Sequence, residues 1–170
     1  AAGIADAGRA QAAALGDVDH DGDLDLMLGG ASGADRLWQN SGAAVFKDVT
    51  TAARLTGSGR VTGLVPTDFD NGRDLDILEA VEGGAPRLWR NQRDGTFRET
   101  AAAVGLGSTP ARSLAVADVN QDGYADAFFG ADAGDLLAQS DGRGRFTAAA
   151  VPWGSRGTVA ALFVDYDHDG

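Results

Sequence analysis

Short apolar runs alternate with acidic clusters along the chain. AAALGDV (12–18), TGLVPTDF (62–69), SLAVADV (113–119) and AALFVDY (160–166) each lead into aspartates, and LDLMLGG (24–30), LDILEA (75–80) and ADAFFG (125–130) leave them. Runs this short, rich in branched and aromatic residues and bounded by turn residues, predict β-strands. RLWQN (36–40) and RLWRN (87–91), then VFKDV (45–49) and TFRET (96–100), predict two more strands per unit. Glycine-containing turns such as Arg93-Asp94-Gly95 and Asp141–Gly144 join them. The Ala-rich stretches TTAARLTGSG, TAAAVGLGST and AAAVPWGSRG read as connectors, long enough for a helical turn and too short for an independent helix.

The pattern repeats. Asp17, Asp68, Asp118 and Asp165 open four similar segments spaced by 51, 50 and 47 residues, and RLW at 36–38 returns at 87–89 and, weakly, as DLL at 135–137. VFKDVT returns as TFRET and as RFTAA at 145–149. About four short antiparallel strands in each unit of about 50 residues is the spacing of a β-propeller blade. The fold class is therefore all-β, with units at about 1–50, 51–100 and 101–150 and an incomplete one at 151–170, or about three and a half blades of a single propeller.

The aspartates carry the candidate chemistry. DVDHDGDLD (17–25) places carboxylates at every second residue, with Gly22 at position 6. A hard cation such as Ca²⁺ takes six to eight oxygens, and alternate residues of a curled loop converge on one point. Asp17, Asp19 and Asp21 are the expected carboxylate ligands; Asp23 offers its carbonyl and Asp25 closes the sphere. DVNQDGYAD (118–126) repeats the scheme with Asp118, Asn120, Asp122, the Tyr124 carbonyl and Asp126. DFDNGRDLD (68–76) keeps Asp68, Asp70 and Asp76, but Gly72 stands at position 5 and Arg73 at position 6, so weak binding or none is expected. DYDHDG supplies Asp165, Asp167 and Asp169. An EF-hand shares the first six positions but needs an acid at position 12, which is Leu28, and flanking helices in place of strands.

Composition sharpens this picture. The net charge of −11 resides mostly in the four aspartate segments, and the rest of the chain is close to neutral, which argues against nucleic acid as a partner. Without cysteine, stapling falls to the core or to metal. No apolar run approaches the roughly 20 residues of a membrane span, so no membrane insertion is expected, and AAGIADAGRA does not read as a signal peptide. Lys47 is the lone lysine among abundant Arg and Ala, a bacterial coding bias.

GDVDHDGDLDLMLGG, RLWRNQRDGTFRET and the GGAP at 83–86 resemble the FG-GAP/VCBS repeat family, which includes the amino-terminal region of integrin α subunits. The resemblance implies a propeller, usually seven-bladed, with structural Ca²⁺ loops and no catalytic residue. It implies an extracellular, cell-surface or periplasmic protein serving adhesion, ligand binding or assembly, with a protein or glycan ligand. A seven-bladed ring needs roughly 350 residues at this period, so a fragment of a larger chain is expected; otherwise open blade edges invite self-association. Three classes follow: a noncatalytic binding scaffold, the propeller of a polysaccharide lyase or other carbohydrate-active enzyme, and a self-assembling surface filament.

His20 and His168 both occupy position 4 of an aspartate loop and read as exposed loop residues. Trp38 and Trp89 repeat, which suggests packing between blades; Trp153 has no equivalent and is the better candidate for a ligand contact. Arg36 and Arg87 repeat just before Trp38 and Trp89 and read as structural, in a salt bridge or a stacking role, rather than as anion-binding residues. A lyase needs a base with clustered His, Lys or Arg, which this composition does not favour.

Overall fold

The structure, a computed structural model, describes residues 3–4, 8–107, 111–152 and 157–166. Its twelve strands are β1 (Ala10–Gly16), β2 (Asp25–Gly30), β3 (Arg36–Asn40), β4 (Phe46–Asp48), β5 (Val61–Thr67), β6 (Asp76–Val81), β7 (Arg87–Asn91), β8 (Phe97–Glu99), β9 (Ser113–Ala117), β10 (Asp126–Gly130), β11 (Leu136–Ser140) and β12 (Phe146–Ala150). They form three antiparallel sheets in chain order, β1–β4, β5–β8 and β9–β12. Each sheet is one blade of a β-propeller. No helix is assigned among the described residues, and none is long and apolar enough to cross a membrane.

The blades stack face to face, so the core lies between them. β1 packs on β5, and β5 on β9. One apolar cluster joins Val18, Met27 and Leu37 of blade 1 to Val61, Ile77, Trp89 and Phe97 of blade 2; a second joins Phe69, Leu78 and Leu88 of blade 2 to Phe129, Ala138 and Phe146 of blade 3. β6 is buried at every residue, because it is the second strand of a blade covered on both faces. Close approach demands a bare backbone at Gly29, where a Cβ would lie 2.5 Å from Val61 Cγ1.

Connectors bridge neighbouring rims. The chain makes a single helical turn after β4, with Ala53 N donating to Val49 O (2.7 Å), and another after β8, with Val104 N donating to Thr100 O (3.1 Å). From these turns Ala53 O accepts from Phe97 N (2.9 Å) and Val104 O from Phe146 N (2.7 Å), tying each connector to the outermost strand of the blade that follows it.

Two expectations are corrected. Ala127 pairs with Ala138 as Leu26 does with Trp38 and Ile77 with Trp89, so the third equivalent of RLW is Leu136–Ala138, one residue later than DLL. The aspartate of DLL instead repeats Asp35: Asp135 accepts from Ala131 N and Asp35 from Gly30 N, each at 3.0 Å. The run 160–166 is not assigned to a strand, and Leu162, Val164 and Tyr166 are exposed; a strand exists only where a neighbour pairs with it.

The two tryptophans among the described residues, Trp38 and Trp89, are interior. Trp89 sits in the core between blades 1 and 2, and its Nε1 donates to Glu79 Oε2 (3.1 Å). Trp38 is as deeply buried, but Leu28 occupies the place of Glu79 and Trp38 Nε1 has no acceptor. Both arginines are paired: Arg36 with Asp48 at 3.9 Å, and Arg87 with Glu79 at 2.6 Å and Asp35 at 3.0 Å. Burial, then repulsion from Asp35, raises the Glu79 carboxyl from its ordinary 4.5 to about 7, against the lowering pull of Arg87 and Trp89. Trp153 and His168 lie outside the described residues.

Candidate metal centre

Each aspartate segment is the hairpin loop between the first and second strands of its blade. Gly16 pairs with Asp25, Thr67 with Asp76 and Ala117 with Asp126, closing loop 1 (17–24), loop 2 (68–75) and loop 3 (118–125) at the same register.

Inside the loops, backbone amides shape the curl. Asp17 accepts from Asp21 N (3.2 Å) and Gly22 N (3.0 Å), Asp68 from Gly72 N and Arg73 N (both 2.8 Å), and Asp118 from Asp122 N (3.1 Å) and Gly123 N (2.7 Å). Position 3 joins through Asp19, Asp70 and Asn120, each of whose Oδ1 accepts from the position-5 amide. The left-handed turn at position 6 has φ of 90° at Gly22 and 89° at Gly123, and loop 2 keeps it at 68° although the residue is Arg73. That conformation disfavours a side chain, so loop 2 retains the shape at some cost in strain.

Among the described residues, carboxylate oxygens converge in two places. Carboxylate oxygens of Asp17, Asp19 and Asp21 lie within 4.8 Å of one another, as do those of Asp68, Asp70 and Asp76. In loop 3, Asp118, Asn120 and Asp122 hold equivalent places, with Asn120 Nδ2 donating to Asp122 Oδ2 (2.9 Å). A hard divalent cation accepts such an all-oxygen donor set, and loops 1 and 3 fit it without a competing side-chain cation at positions 1, 3 or 5.

Position 9 has a further role that sequence reasoning missed. Asp25 is fully buried; its Oδ2 accepts from Val18 N (3.0 Å) and its Oδ1 from Asn40 N (2.8 Å). Asp126 does the same with Val119 N (3.3 Å) and Ser140 N (2.8 Å). These carboxylates tie the start of the loop to the end of the third strand, and Asp25 stands outside the Asp17–Asp19–Asp21 group. Asp76 Oδ1 accepts from Asn91 N (2.7 Å), while its buried Oδ2 lacks a well-formed hydrogen bond. Burial raises all three carboxyls, Asp76 to about 7, against the amide bonds that lower them.

Position 7 meets the outer hairpin turn of its own blade. Asp23 lies by Gly42, Asp74 pairs with Arg93, and the Tyr124 ring lies so close over Gly142 that a Cβ there would come within 2.3 Å of it. His20 is half-exposed and 3.6 Å from Asp74 of the next loop. Asp165 lies in the described segment 157–166, whereas Asp167 and Asp169 fall outside the described residues. A cleft of about 340 Å³ beside loop 2 is lined by Asp70, Asp74, Asp76, Arg90, Asn91, Gln92 and Arg93.

Comparison with known proteins agrees with this architecture. The model of the FG-GAP-like repeat matches residues 17–79 and 73–129, most of the chain and two of its loop-to-loop units. The chain belongs to the FG-GAP-like repeat family. No curated protein sequence matches it. Among solved structures, a lectin of Agrocybe aegerita, described as showing the basis of specific recognition of non-reducing terminal N-acetylglucosamine, is similar over 82% of this chain at 22% identity and a TM-score of 0.50. That similarity is one of fold, and this FG-GAP-like chain spans 37% of the lectin's length.

Proposed function

We propose that this FG-GAP-like protein is a noncatalytic, calcium-stabilised binding scaffold working outside the cytoplasm, with a glycan as its ligand. The observation that carries the calcium reading is the convergence of Asp17, Asp19 and Asp21 within 4.8 Å in a loop whose backbone shape recurs in all three blades. Calcium would be held by these carboxylates in loop 1 and by Asp118, Asn120 and Asp122 in loop 3. Its contribution would be to neutralise acids that otherwise repel.

The glycan reading draws on the fold shared with a lectin and on the boundary between blades 1 and 2. A cleft of about 270 Å³ there has Val18, Leu37, Val49 and Phe97 as an apolar floor and Asp19, Gln39, Asn91, Asp94 and Thr96 among its polar lining. A sugar presents one apolar face and a ring of hydroxyls, which such a lining suits.

Thermal unfolding in Ca²⁺ and in EDTA, with a metal count on the purified protein, tests the first half. An unchanged midpoint and no bound metal refute it. A glycan array read with and without EDTA tests the second; silence across neutral and amino sugars removes the glycan and leaves a protein ligand.

A further inference from the structure

We propose that loop 2 is not a calcium site and that Arg90 and Arg93 supply its positive charge from within the chain. The inference refines the calcium reading of loops 1 and 3, on which it rests.

The strand registers make the three blades comparable residue by residue. Position 3 of the loop faces the fourth residue of the third strand: Gln39 Nε2 donates to Asp19 in blade 1, and Arg90 Nη2 lies 2.5 Å from Asp70 in blade 2. The equivalent in blade 3 is Gln139. The outer hairpin turn that meets position 7 begins Ser41-Gly42 in blade 1, Gln92-Arg93 in blade 2 and Asp141-Gly142 in blade 3. Blade 2 thus carries arginine at both places where blades 1 and 3 carry glutamine and glycine.

These arginines reach the groups an ion would need. Arg93 Nη2 donates to the Gly72 carbonyl and its Nε pairs with Asp74, while Arg90 holds Asp70. Loop 2 is also the loop that lacks a position-5 acid and carries Arg73 within it. Charge and ligand loss therefore coincide in one blade: where the acid is missing, guanidinium groups are present. A divalent ion entering loop 2 would meet three arginines within or against the loop. Asp70 would have to exchange its guanidinium for the ion, a poor trade for a strongly hydrated cation. The convergence of Asp68, Asp70 and Asp76 within 4.8 Å and the buried Asp76 Oδ2 favour an ion, but Asp70 is already held by Arg90 and Asp68 by two backbone amides, so the guanidinium groups decide against it.

The test is amide hydrogen exchange on the whole chain, with and without EDTA, in the native protein and in the R90Q/R93G variant, which installs the residues of blades 1 and 3. The Gly72 and Arg73 amides of the native protein should keep their protection in EDTA, while those of Asp21, Gly22, Asp122 and Gly123 lose theirs. In R90Q/R93G, loop 2 protection in EDTA should fall about tenfold, the scale of losing two partly exposed ion pairs. Loop 2 amides that deprotect in EDTA in the native protein overturn the proposal, as does protection unchanged in R90Q/R93G. Asp70→Asn in the native background gives an independent reading: the number of bound Ca²⁺ should not change, and the loss of one ion refutes the inference. Failure of the underlying calcium reading looks different, because then loops 1 and 3 bind no ion while the response of loop 2 to R90Q/R93G still decides the role of the arginines.

Discussion

Replacing Arg87 with alanine should destabilise the protein in a strongly pH-dependent way. The guanidinium is mostly buried, with its side chain 15% exposed, and it bridges Glu79 and Asp35, whose side chains are 2% and 4% exposed. It also donates to Ser58 O (2.5 Å), so it joins blade 2 to blade 1 and to the connector between them. Glu79 titrates well above its ordinary 4.5, at about 7, so between these values the folded protein holds a proton that the unfolded chain has released. Its contribution to stability is therefore full below about 4.5 and declines as pH rises toward about 7. At pH 5 the variant and the native protein both keep Glu79 neutral, and the deletion removes hydrogen bonds and packing worth about 1–2 kcal/mol, together with the Arg87–Asp35 ion pair, which is lost at either pH. At pH 8 the native carboxylate is charged and paired, whereas the variant has no cation for it, and the loss should reach the roughly 3–5 kcal/mol typical of a broken buried pair. Against a total stability of about 5–15 kcal/mol this is large. Urea unfolding at fixed Ca²⁺, at both pH values, measures the two losses. Glu79→Leu in the same background should recover much of the pH 8 loss, because Leu28 already fills that place in blade 1 and the protein tolerates Trp38 without an acceptor. A loss below about 1 kcal/mol at pH 8, as for an exposed pair, would refute the reasoning.

Saturating loop 1 with Ca²⁺ at one hundred times its dissociation constant should add about 2.7 kcal/mol, read as a higher melting midpoint than in EDTA. Asp17→Asn should shrink that gain while leaving the midpoint in EDTA little changed. Gly29→Ala, which drives a methyl to 2.5 Å from the buried Val61, should cost about 1–3 kcal/mol by overpacking and lower the midpoint by about 3–10 °C; an unshifted melt would show that the blades separate easily. Asp126→Ala strands the Val119 and Ser140 amides, at about 1–3 kcal/mol each. Asp126→Asn keeps one acceptor and should cost less, and equal losses in urea unfolding would deny the tie.

The repeat, the strands of the three blades and the loop boundaries were legible because each signal is local: short apolar runs, turn residues, and acids at fixed spacing. The run 160–166 carries the same signal and is assigned to no strand, since a strand also needs a neighbour that pairs with it. The alignment of DLL with RLW failed by one residue because a sheet register is set by cross-strand pairing, which similarity along the chain does not encode. The aspartates at position 9 look like the other acids in sequence. Only the fold shows that Asp25 and Asp126 are fully buried, with amides of the loop and the third strand on their oxygens. Arg90 and Arg93 were hidden for another reason: they lie in a strand and a turn well outside the aspartate motif. Their signal was present nonetheless, as glutamine, arginine, glutamine at 39, 90 and 139 and glycine, arginine, glycine at 42, 93 and 142. Reading repeats column by column would have exposed it.

The bonds from Ala53 to Phe97 and from Val104 to Phe146 give the molecule a mechanical polarity. Each connector grips the last strand of the blade after it, so tension applied at the chain ends must shear that grip before the blade can peel. Under a stretching force the blades should rupture one at a time, each releasing about 50 residues, or roughly 170 Å of extended chain. The force trace would then be a sawtooth whose tooth spacing repeats the 51- and 50-residue period of the aspartates.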